Sequence, residues 1–157
     1  MNIQKIGLAL SFIGLAACVK NVPIDEDLSQ RQAAIEVTRA YVEAIETQQL
    51  DFVVAHSVFP YWLDGEIVDA AQLKKMLQDE AEDLARWKLK QLRFFSGADI
   101  EIFAPRVIEK LDKNQIAHAY FVVAQFTDRS EKKRRVENVL FMLQFENGRW
   151  QIAGLED

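Results

Sequence analysis

Up to about Leu84 the apolar residues of this chain recur every third and fourth position; from Lys88 onward they recur every second. A helical stripe and a strand face have periods that do not interchange, so this change of period divides the chain into helices first and strands second. Ala34, Val37, Tyr41, Ala44 and Ile45 form one stripe on a helix that runs to about Gln48. Ser29 with Gln32 three residues on predicts a capping box at its start, and the acidic Asp25-Glu26-Asp27 suits the positive end of its dipole. A shorter helical segment spans Leu50 to Val58, and Asp69 with Gln72 caps a third helix carrying Leu73, Met76, Leu77, Ala81 and Leu84 on one face. Between these helices, Pro60 to Val68 reads as a hairpin around Asp64-Gly65.

The second half supplies the sheet. Leu89 to Phe95 and Asp99 to Phe103 alternate as strands, and Ala117 to Ala124 is apolar on both faces, which predicts a central strand. Val136 to Phe145 is similar, and Asn147-Gly148 turns the chain into a last strand, Trp150 to Leu155. Trp150 alternates with Ile152, so its indole is expected in the core. Helices followed by an antiparallel meander make an α+β domain.

The N-terminus carries a different message. Lys5 stands before the apolar run Ile6 to Ala17, which ends in Leu15-Ala16-Ala17-Cys18 with the only cysteine of the chain. A positive start, a short apolar stretch and small residues at its end make an export signal. At about 18 Å of helical rise the run is too short for the ~30 Å of hydrocarbon that a membrane helix crosses. The four residues closing it resemble the lipobox of bacterial lipoproteins. That resemblance implies removal of residues 1–17, a thioether-linked diacylglycerol on Cys18 and acylation, typically by palmitate, of the new N-terminus. Val19 stands where an Asp resembles the inner-membrane retention signal, so the expected address is the outer membrane, facing the periplasm. Residues 18–28 are then a lipidated tether, broken by Pro23, and residues 29–157 a single domain.

Removing residues 1–17 takes away Lys5 and no acidic residue, leaving 18 basic against 24 acidic side chains. A net charge near −6 argues against nucleic acid as a partner, since phosphate binding needs a basic footprint. The run Lys132-Lys133-Arg134-Arg135 lies between two apolar strands and reads as a solvated hairpin turn. Asp79, Glu80, Glu82 and Asp83 lack the spacing and glycine turn of a calcium loop and read as the wet face of the third helix. With Cys18 acylated, no thiol is left for a disulfide or a nucleophile, and His56 and His118 are too few for a zinc site. No cofactor and no metal are expected.

The order of elements resembles the NTF2-like superfamily, the cone-shaped fold shared with ketosteroid isomerases and limonene epoxide hydrolases. The resemblance rests on Arg39 to Ile45 followed by Leu50 to Val54, on the helix from Asp69 to Leu84, and on the closing hairpin Phe145 to Ile152. It implies N-terminal helices packed on a curved antiparallel sheet around a conical apolar pocket. It also implies roles for particular residues. Tyr41 matches the tyrosine that donates to the substrate oxygen in ketosteroid isomerases, Asp64 falls within a residue of their general base, and Asn138 lies near their second oxyanion donor. Some members use a pocket histidine and aspartate for dehydration, which makes His118 a further candidate. Against this, an aspartate in an Asp-Gly turn ordinarily caps backbone, and a base must reach the proton it takes. Asp64 is therefore expected exposed in its turn while Tyr41 faces the interior.

Tyr41, Tyr61, Trp62, His118 and Tyr120 are the candidate pocket residues, with Phe94, Phe95 and Phe103 as aromatic neighbours. The expectation from all this is a lipid-anchored, noncatalytic domain that binds a small apolar ligand or an envelope protein. The rivals are a tethered isomerase, dehydratase or hydrolase using Tyr41, Asp64 and His118, and a structural module that pairs as a homodimer.

Overall fold

The computed structural model describes residues 24–103, 105, 109, 119–128 and 135–156. Cys18, with the whole lipobox, and His118 lie outside the described residues. The chain opens with α1 (Ile24–Glu46) and α2 (Leu50–Ala55), followed by the hairpin β1 (Ser57–Leu63) and β2 (Glu66–Val68). α3 (Ala70–Asp79), α4 (Ala81–Leu84), β3 (Trp87–Phe95) and α5 (Gly97–Phe103) come next. β4 (Tyr120–Asp128), β5 (Val136–Glu146) and β6 (Arg149–Glu156) close the chain.

The strands form one sheet in the order β2-β1-β6-β5-β4-β3. It is a correction to the expected antiparallel sheet that β1 runs parallel to β6; the remaining pairings are antiparallel. The first hairpin precedes the meander by a helical connection, so its inner strand can dock on the last strand in the same direction. Register shifts between Leu89 and Gln91, between Met142 and Leu143, and along the β1–β6 pair mark bulges. Bulges sharpen the right-handed twist, which lets the sheet curl around α1.

α1 lies in the concavity. Its stripe of Ala34, Thr38, Tyr41, Val42 and Ile45 is buried against Val122, Phe141, Leu143, Trp150 and Ile152. The convex face is not bare either. Phe121, Val123, Leu140, Met142 and Ala153 are buried there together with Ile100 of α5. This explains why β4 and β5 read as apolar on both faces. Each buried Leu-, Val- or Phe-sized side chain contributes ~1.5–3 kcal/mol, so both faces of the sheet drive folding.

Both Asx-Gly turns are as expected: Asp64 and Gly65 have φ of 46° and 85°, Asn147 and Gly148 52° and 77°. Positive φ at both central residues is what the strand twist demands of a two-residue hairpin. The capping box of Asp69 and Gln72 is formed in both directions, at 2.8 Å each.

Three local expectations are corrected. α1 starts at Ile24, so Ser29 and Gln32 lie inside the helix, and Gln32 bonds Glu36 one turn on. The third helix breaks at Glu80, leaving α4 as a separate short turn. Asp99 to Phe103 belongs to a helix, whose first turn is set by Ser96: its carbonyl accepts from the amides of Asp99 and Ile100, and its hydroxyl donates to the Asp99 carboxylate at 2.6 Å. In a strand, Ile100 and Ile102 would share a face. In this helix they do not, and Ile100 is 0% exposed while Ile102 is 86% exposed.

Candidate functional site

The cone has a cleft of about 350 Å³ at the end where the C-terminal turn of α1 meets the β1–β2 turn. α1 contributes Val42, Ile45 and Glu46, the turn Leu63 and Asp64, and the broken third helix Met76, Leu77, Glu80, Asp83 and Leu84. From the sheet come Trp87 at the start of β3, Phe126 on β4, Val139 and Phe141 on β5, and Leu155 on β6. Arg135 and Glu137 reach it from the start of β5. The walls are apolar because each strand turns its concave-face residues inward, and the charged side chains stand at the mouth. The volume is at the small end of the ~300–1,000 Å³ range of ligand sites.

The break at Glu80 shapes this end. Arg86, just after α4, bonds Asp83 at 3.0 Å and Asp128 at 3.2 Å. The Asp128 side chain is almost wholly buried, so this pair fixes the chain between α4 and β3 to the end of β4. Arg135 pairs with Glu137 at 2.7 Å, and its guanidinium lies 5.9 Å over the Trp87 ring.

The residues with potential chemistry are not in this cleft together. Tyr41 is 1% exposed and does not line it. Ser57 donates to the carbonyl oxygen of Val53 at 2.8 Å, and its Oγ lies 2.7 Å from the Tyr41 hydroxyl. A serine has one hydrogen to give, so Tyr41 donates to Ser57. The Tyr61 hydroxyl is a further 3.3 Å contact. Burial pushes the Tyr41 phenol up to about 12, against the lowering effect of its hydroxyl partners. Tyr61 is also pushed well up, chiefly by burial and then by the neighbouring Tyr41 and the charge of Asp64.

Asp64 is exposed in its turn, as expected, yet it also forms part of the cleft mouth. Asn138 is misplaced by the resemblance: it is exposed and lies on the opposite side of β5 from Val139 and Phe141, 3.4 Å from Gln125. Trp62 is likewise on the wrong face for a pocket. It packs in the convex-face cluster, with its indole nitrogen donating to Glu156 at 3.1 Å. Adjacent strand residues point to opposite sides, so Tyr61 and Trp62 could not line one cavity. Tyr61 is sealed in the core, and Tyr120 packs on Trp150 and Phe94 away from the cleft. The pocket lining expected from Tyr41, Tyr61, Trp62 and Tyr120 is thus replaced by a different set. Of the aromatic neighbours, Phe94 lies on the concave face with Tyr120 and Phe95 joins the convex cluster.

His56 caps α2, stacks on Phe52 at 3.8 Å and holds the Phe52 carbonyl through Nδ1 at 2.9 Å. It serves the helix end. Among the described residues no group of histidines, cysteines and carboxylates is arranged to hold a metal, and no helix is long and apolar enough to cross a membrane.

Of the residues at the cleft mouth the sequence marked only Asp64 as a candidate. Glu80 and Asp83 read as a solvated helix face, Arg135 as the end of a basic turn, and Trp87 and Glu137 carried no motif. The break in the third helix would have pointed to them, but nothing in its periodicity announces it.

No protein-family model and no curated protein matches this sequence. Solved structures do match in shape. An NTF2-like protein with a cystatin-like fold from Novosphingobium aromaticivorans superposes with a TM-score of 0.54 at 9% identity, over 90% of this chain and 89% of its own. A cystatin-like-fold protein of unknown function from Nostoc punctiforme gives 0.53 at 10% identity, over 80% and 86%. A protein of unknown function from Mycobacterium tuberculosis gives 0.54 at 13% identity, over 86% and 74%. Identities this low speak to architecture alone. Helices cradled by a curved mixed sheet, in this order and over most of the chain, give this protein the NTF2-like, cystatin-like fold.

Proposed function

We propose that this protein is a lipid-anchored envelope domain, held at the periplasmic face of the outer membrane through Cys18, whose cleft binds a small, largely apolar ligand without transforming it. The observation that carries the binding reading is the apolar-walled cleft of about 350 Å³ from which the Tyr41 phenol is walled off. A phenol that already donates to Ser57 inside the core has no hydrogen to offer a substrate oxygen. Among the described residues no phenol is set across the cleft from Asp64, since Tyr41 and Tyr61 are sealed in the core, so the phenol–carboxylate pairing that the resemblance implied is not assembled there. Oxyanion stabilisation is commonly the largest part of such catalysis.

The test is titration with N-phenyl-1-naphthylamine, a neutral dye whose fluorescence rises in apolar surroundings. Saturable binding is expected. Val139→Trp, which fills the cleft, and Met76→Trp, which occludes its mouth, should both weaken it, with thermal melts confirming that they fold. Tyr41→Phe should leave it unchanged. Binding that survives both tryptophan variants would place the ligand elsewhere.

A further inference from the structure

We propose that the ligand is a cationic amphiphile, an apolar body of modest size carrying an amine or a quaternary ammonium group. This rests on the cleft being the binding site. Its walls are apolar, yet the charges at its mouth are nearly all of one sign. Glu46, Asp64, Glu80, Asp83 and Glu137 stand against Arg135 among the described lining residues. Asp83 and Glu137 are paired with arginines, whereas Glu46 and Glu80 have no ion pair among the described residues. Low-dielectric walls beside like charges focus the field, so the mouth attracts cations and repels anions.

A second observation is a cation already seated there. The Arg135 guanidinium lies over the Trp87 ring and against the Glu137 carboxylate. An aromatic face beside a carboxylate is the arrangement that recognises ammonium groups. Arg135 is itself exposed, so a ligand cation can settle beside it or replace it without breaking the core. An anionic head would instead lose water beside five carboxylates, of which arginines pair with Asp83 and Glu137. The net charge of −5 acts in the same direction at longer range.

Three ten-carbon amphiphiles with different heads separate these outcomes: decyltrimethylammonium, decyl maltoside and decyl sulfate. Each is used below its micelle-forming concentration to displace N-phenyl-1-naphthylamine from the purified full chain. Decyltrimethylammonium should displace the dye at about a tenfold lower concentration than the maltoside, as two or three exposed ion pairs together would give, with the sulfate weakest. The preference should narrow in high salt and largely vanish in the double variant Glu46→Gln, Glu80→Gln, which removes the two mouth carboxylates that have no ion pair among the described residues. Equal potency of the three heads, or a preference that the double variant keeps, overturns the cationic assignment while leaving the binding reading intact. Failure of the dye to bind at all sinks both.

Discussion

At Tyr41 a phenol that would be a donor in an open pocket gives its hydrogen to the protein. The consequence is visible in pH dependence. A neutral phenol is the protonated form, and burial raises the folded-state value to about 12 from an ordinary 10. The folded state therefore holds the proton more tightly than the unfolded chain. The stability this contributes is fully present below pH 10 and is lost as pH rises through 12. The loss amounts to ~2–3 kcal/mol from Tyr41, at ~1.4 kcal/mol per pKa unit, and Tyr61 acts in the same sense. Phenolate absorbance followed against pH should show Tyr41 and Tyr61 ionising only together with alkaline unfolding. Early, reversible ionisation of all three tyrosines with the circular dichroism unchanged would show that the hydroxyl cluster is open to solvent. Gly154 is a second residue where a single atom decides. A Cβ there would lie 2.8 Å from Trp62 Cβ and 2.9 Å from its carbonyl oxygen, neither of which can move without parting β1 from β6. Gly154→Ala should cost ~1–3 kcal/mol, the usual range for overpacking, and lower the denaturation midpoint. Nothing in the sequence around Gly154 foretells this, because the clash comes from a strand far away in the chain. Tyr41 was legible as an interior residue from its helical spacing. Its isolation from the cleft was not, since that depends on Ser57 and Tyr61 meeting it in space.

Between residues, the elements show where periodicity informs and where it fails. Trp150 was legible: it follows an Asn-Gly turn, alternates with Ile152, and is 5% exposed between Tyr120 and Phe145. Trp150→Ala should cost ~3–5 kcal/mol, measured by chemical denaturation, since truncating a buried aromatic leaves a cavity that the surroundings only partly fill. An unchanged midpoint would mean that β6 does not close the sheet. α5 was misread because five residues of alternation are too short to separate strand from helix, and the turn formed around Ser96 won. The parallel pairing of β1 with β6 was invisible for another reason. A hairpin signal fixes the partner of β1 on one side, while its other edge pairs by topology rather than by local sequence. The pocket assignment of Trp62, and the oxyanion role that the resemblance implied for Asn138, failed at this scale too. β1, which carries Trp62, and β5, which carries Asn138, both have apolar side chains on each face, so hydrophobicity does not mark which one faces the concavity.

Taken whole, the molecule places its cleft at one end of a cone, and the proposed anchor sets where that cleft works. The carboxylates at its mouth come from α1, the β1–β2 turn, the break after α3, α4 and β5, so no stretch of sequence could have displayed them as a motif. The proposed anchor is the opposite case, since it rests on four consecutive residues, Leu15-Ala16-Ala17-Cys18. Each buried methylene of an acyl chain adds ~0.8 kcal/mol, so one chain holds a protein only reversibly while two or three hold it for good. Cys18→Ser removes the thioether and, with it, the processing that exposes the amine for a further chain. In cells fed labelled palmitate, the parent protein should carry the label and sediment with outer membranes. The Cys18→Ser form should carry none and either leave the outer-membrane fraction or persist with its leader uncleaved. Equal label in both forms would overturn the lipoprotein reading. The cleft would keep its proposed ligand chemistry in that event, because its described lining residues run from Val42 to Leu155, but the lipid anchor would no longer set where it meets its ligand.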